Sequence, residues 1–148
     1  MGEALTIKLF RGMYLAGIIL SLLVGIWHFF VPILFHWYSY IPQEYQNLIV
    51  GINYTNLCFS LLLSGISFIL LIWDKKVFAG NKEAMTIYSF LILVWLLRAA
   101  LTVLEPWPLE PIAWAAYLQA AVTAFILILL VIPYIKVCLL KDDNGRKI

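Results

Sequence analysis

Apolar residues fall into four long runs separated by short polar breaks, at about 12–31, 48–73, 84–104 and 111–135. Each run is close to the ~20 residues that an α-helix needs to cross the hydrocarbon core of a bilayer. The breaks hold Pro32 and Pro42, then Gly80 and Asn81, then the stretch EPWPLEP. Residues of these types end helices and form turns. The pattern predicts an all-α polytopic membrane protein, a single domain over residues 1–148 with four transmembrane helices in an antiparallel bundle. Lys8 and Arg11 precede the first run, as they would in a signal peptide. That run continues through GIWHFFVP without a small-residue cleavage site, so it reads as a retained helix.

Polar residues inside the runs are ordered. Gly17, Ser21 and Gly25 make a small-residue stripe in the first run, and His28 continues it. Such a stripe lets helices approach closely, so His28 is expected to face another helix. Asn53, Asn56, Ser60, Ser64 and Ser67 recur at helical spacing in the second run. Arg98, Thr102 and Glu105 share a face of the third, and Gln119 and Thr123 share one of the fourth. At 1.5 Å per residue, Arg98 lies ~9 Å and His28 ~6 Å below the span ends remote from the termini, with Asn53, Asn56 and Gln119 at ~8, ~12 and ~12 Å. The helices therefore agree on one polar layer, which predicts a pocket lined by His28, Asn53, Asn56, Trp95, Arg98 and Gln119. Trp95 falls one turn below Arg98.

Arg98 is the sharpest of these signals. A permanent charge in a span costs ~2.5–3.5 kcal/mol by insertion scales, so a partner is expected. The candidates are Glu105 as an ion pair, His28, or an asparagine across the bundle. Snorkelling to the nearer interface is opposed by the tilt of side chains toward the helix N-terminus. NYT at Asn53 matches a glycosylation sequon but lies inside a span. The segment ILFHWYSYIP, with His36, reads as an amphipathic stretch lying on the membrane surface.

Composition agrees with the pattern: of 148 residues, 64% are hydrophobic and 12% charged. A soluble domain of this size carries more charge. The net charge of +2 comes without a basic cluster, which excludes nucleic acid as a partner. Nine of the ten basic residues flank the ends that share a side with the termini, and Arg98 is the tenth. The other two loops carry Glu44, Glu105 and Glu110 instead. The positive-inside rule then predicts cytoplasmic termini, in a bacterial inner membrane, with the polar layer in the outer leaflet. Trp27, Trp37, Trp107 and Trp114 would form an outer interfacial belt, with Trp73 at the inner face. Cys58 and Cys138 fall at opposite ends of their spans, too far apart for a disulfide. No metal site is readable, because His28, His36, Glu44, Glu105 and Glu110 are the only outer ligand types and do not cluster in sequence.

Neither a Gly-rich phosphate loop nor a Ser/His/Asp arrangement is present, and no internal repeat suits alternating access. Two function classes stay open. The first is a non-enzymatic binding or accessory protein whose outward pocket takes a lipid-like or other amphipathic molecule, or a partner subunit or second copy. The second is a quinone-binding subunit of a membrane oxidoreductase, with His28 as proton donor. The opening helix, with Arg11, Gly17, Gly25 and GIWHFF, resembles that of DoxX-like membrane proteins. His28, Pro32, Phe35 and Trp37, with Trp95 and Arg98, resemble the His-x3-Pro, Phe-x-Trp and Trp-x2-Arg patterns of small four-span bacterial proteins. One departure is that no glutamine follows Arg98 in its own helix, the nearest being Gln119. The resemblance implies a four-helix fold and, for some members, quinone-linked oxidation.

Overall fold

The computed structural model describes residues 2–106 and 113–145, with side chains described for 5–106 and 114–140. The helices are α1 (Gly2–His28), α2 (Val31–Leu34), α3 (Gln46–Ile72), α4 (Asp74–Phe78), α5 (Lys82–Leu104) and α6 (Ala113–Gly145). Two 3-10 turns, Trp37–Tyr40 and Gln43–Tyr45, link α2 to α3. No strand occurs among the described residues. Four apolar stretches, Leu5–His28, Gln43–Ile72, Lys82–Leu104 and Trp114–Leu140, are long enough to span a membrane. The molecule is thus the all-α antiparallel bundle that the hydrophobic pattern predicts. The start of α1 and the end of α6 lie at one end, here the proximal end; the opposite end is distal.

Helix α1 packs closely on α3 and α6, and α5 packs on α6 and less closely on α3. Helices α1 and α5 face one another across the bundle and are joined by side chains rather than by close backbones. Gly25 allows the α1–α3 approach, since a Cβ there would stand 2.7 Å from the Ser64 backbone nitrogen. Gly17 does the same toward α6, where a Cβ would meet Leu130 Cδ2 at 3.0 Å. The small-residue stripe is therefore used inside the bundle. Its remaining member, Ser21, shares a hydrogen bond of 2.8 Å with Ser67. The other serines of α3 bond back to their own helix, Ser60 to the Asn56 carbonyl and Ser64 to the Ser60 carbonyl, each at 2.6 Å.

The limits of two helices differ from the sequence expectation. Helix α1 begins near residue 2 rather than 12 and stops at His28 rather than 31. Phe29 and Phe30 close the last turn with bonds to the carbonyls of Ile26 and Trp27, three residues back. Pro32 then sits in the first turn of α2, where a missing N–H costs nothing. His28 is consequently the last residue of its helix instead of lying a turn inside it. Helix α6 runs on to Gly145, through Pro133. Pro133 removes the backbone bond to the Leu129 carbonyl. Next to that break, the Tyr88 hydroxyl donates to the Leu130 carbonyl at 2.5 Å. The predicted start of the fourth span at 111, with Trp107 and Glu110, lies outside the described residues.

The proximal end holds a feature that the sequence reading missed. Arg11 grips Asp74 side-on, Nε standing 2.8 Å from one carboxylate oxygen. This ties the start of α1 to the turn between α3 and α5. Beside it the Tyr14 hydroxyl donates to the Leu70 carbonyl at 2.6 Å.

Candidate functional site

The distal ends of α1, α5 and α6 diverge around a cavity of about 510 Å³. Its floor is Trp95, buried, with the indole N–H donating to Ser21 Oγ at 2.9 Å. One turn above, the Arg98 guanidinium lies over the Trp95 ring, 5.7 Å from its centroid. Arg98 Nη1 is 3.3 Å from His28 Nε2. A guanidinium only donates, so this contact requires Nε2 to be the unprotonated ring nitrogen and puts the proton on Nδ1. The His28 ring also meets Phe59 edge-on at 5.1 Å.

His28 is thus the partner of Arg98 among the candidates named. The ion pair with Glu105 does not form. Helix α5 ends at Leu104, and Glu105 follows in a non-helical conformation (φ −130°, ψ 72°), exposed. The chain leaves the Arg98 face before the carboxylate can reach down to it. Thr102 turns back to the Arg98 carbonyl at 2.9 Å.

His28, Trp95, Arg98 and Gln119 all line the cavity. Asn53 and Asn56 do not, because no described lining residue comes from α3. Asn53 is exposed and accepts a 2.5 Å bond from the Tyr38 hydroxyl, pinning the distal loop to α3. Asn56 Nδ2 donates to the His28 carbonyl at 2.9 Å, which satisfies a carbonyl left orphaned where α1 ends. Both asparagines thus support the site from outside it. Thr123, which sequence reading noted only beside Gln119, joins the lining.

The tryptophans supply a wall that the interfacial-belt reading did not anticipate. Trp27, Trp37 and Trp114 line the cavity, together with Phe35. His36 stands between Phe35 and Trp37 with φ 51°, a left-handed conformation uncommon outside glycine. On α6 the signal was present in the sequence: Trp114, Leu118 and Val122 recur at four-residue steps beside Ala115, Gln119 and Thr123.

Two buried polar atoms in this wall have no hydrogen-bond partner, Arg98 Nε and Thr123 Oγ1. Each such unmade bond costs about 1–3 kcal/mol. No Asp or Glu is among the described residues lining the cavity, so they offer the guanidinium no counter-charge. The ion pair found among the described residues, Arg11–Asp74, is at the other end of the molecule. The described residues also hold no group of three or more His, Cys, Asp and Glu side chains suited to a metal ion. Chemically, the site offers hydrogen-bond donors and a positive charge inside an aromatic enclosure. Comparison with protein-family models, with curated proteins and with solved structures returns no match to this chain.

Proposed function

We propose that this chain is a binding or accessory protein of a bacterial plasma membrane, which holds an amphipathic small molecule in its distal pocket. The observation that carries the reading is an aromatic-walled cavity lined by Arg98 and Thr123, two side chains that each hold a buried polar atom without a partner. Buried polar groups are nearly always satisfied, and those that are not ask for a missing partner. The cavity volume falls within the ~300–1,000 Å³ usual for small-molecule sites. Lys8, Arg11, Lys75, Lys76 and Lys82 all lie toward the proximal end, which supports cytoplasmic termini and a pocket in the outer leaflet. The DoxX-like resemblance of the residue pattern agrees with a small bacterial bundle of this kind. A quinone site with His28 donating from Nε2 draws no support from the geometry, since that nitrogen accepts from Arg98.

The test is extraction in mild detergent followed by mass spectrometry of the bound small molecules. The expected result is one retained class of amphiphile, whose re-addition raises the melting temperature. An extract with nothing retained beyond bulk lipid, and a melting temperature indifferent to every amphiphile added, would overturn the proposal.

A further inference from the structure

The pocket's polarity runs opposite to that of the leaflet around it. A phospholipid places its charge at the interface and its tails deep. Here the charge is deep, just above Trp95, and further aromatic surface lies toward the mouth. Arg98 lies six residues below the end of α5, or ~9 Å, and along α6 Gln119 and Thr123 lie five and nine residues below Trp114, or ~8 and ~14 Å. A lipid settling in its normal orientation would lay a tail against the guanidinium. The occupant that fits enters polar end first and keeps its apolar part among the tryptophans.

The free edge of Arg98 narrows the polar end further. Nη1 is taken by His28. Nε has no partner but is itself covered by its surroundings, whereas Nη2, which makes no hydrogen bond to a described residue, keeps exposed surface. Nη2 is a charged N–H donor suited to a carboxylate oxygen. At the proximal end a guanidinium already holds a carboxylate, where Arg11 grips Asp74. Thr123 Oγ1 and Gln119 supply additional polar groups at this level. With no carboxylate among the described lining residues, the charge balance favours an anion over a neutral acceptor. The walls favour a planar body, because Trp27, Trp37 and Trp114 present rigid rings where the rest of the bundle presents Leu, Ile and Val.

Resting on the reading of this cavity as a small-molecule site, we infer that its ligand class is a compact aromatic monocarboxylate, held carboxylate-down on the Arg98 guanidinium.

The test is calorimetric titration of the purified full-length protein with naphthoate, its neutral amide naphthamide, and the aliphatic acid decanoate. Naphthoate is expected to bind at least about tenfold tighter than either of the others. Arg98→Gln should abolish the preference for naphthoate over naphthamide. The wild-type comparison stands even if that variant fails to fold. Naphthamide binding as tightly as naphthoate to the wild type would overturn the anionic assignment, and decanoate doing so would overturn the aromatic one. If none of the three binds although the protein retains another amphiphile, the inference fails and the pocket reading survives. If no amphiphile of any kind is retained, both fail together.

Discussion

Arg98 and Thr123 are where the energetics of the site concentrate. Thr123→Val keeps the shape and removes a buried hydroxyl that has no partner. The ligand-free protein should therefore gain about 1–2 kcal/mol and melt higher, while ligand affinity falls. An unchanged or lowered melting temperature would mean that the hydroxyl is already satisfied. The Arg98–His28 contact makes a second prediction. His28→Phe leaves Nη1 unpaired in the bundle and should destabilise by about 1–3 kcal/mol. Adding Arg98→Leu should recover much of that loss, giving a coupling that thermal melts of the two single variants and the double variant would read. The sequence showed that Arg98 needed a partner but left three choices. The choice depended on where two helices end, at His28 and at Leu104, and such limits are weakly encoded in an apolar run.

At the scale of the elements, packing is set by where glycines meet backbone. Gly25→Ala gains helix propensity worth about 1 kcal/mol but drives a Cβ into the backbone of α3. The backbone cannot yield as a side-chain tip can, so overpacking should win, with a net loss of about 1–3 kcal/mol. Gly65→Ala meets nothing within 4 Å and should be neutral or slightly stabilising. Equal melting temperatures for the two variants would contradict the α1–α3 contact. The glycine stripe was legible as a packing surface, though not the partner of each glycine. The asparagines show the reverse case: their periodicity was read correctly as one face of α3, but that face meets the end of α1 and the distal loop, not the cavity. Periodicity reports that a stripe is buried or shared; it does not report which neighbour covers it.

At the scale of the whole molecule, four hydrophobic runs translate directly into four long helices, because in lipid only a closed backbone hydrogen-bond pattern is tolerated. What the runs do not carry is the diagonal relation of α1 and α5, which opens the cavity at the distal end. The Arg11–Asp74 pair was hidden for a related reason, since its members are 63 residues apart and meet only once the bundle has formed. The proposed orientation predicts that a cysteine at Glu44 is labelled by an impermeant reagent from outside the cell and one at Lys82 is not. The reverse pattern would turn the pocket to the cytoplasmic leaflet. The pocket itself is tested most directly by an experimental density map of the protein in lipid nanodiscs, prepared without removing bound small molecules. The account predicts ordered non-protein density within hydrogen-bonding distance of Arg98 and Thr123, walled by Trp27 and Trp114. A cavity filled by an acyl chain or collapsed shut, with Arg98 Nε bonded to protein, would contradict it.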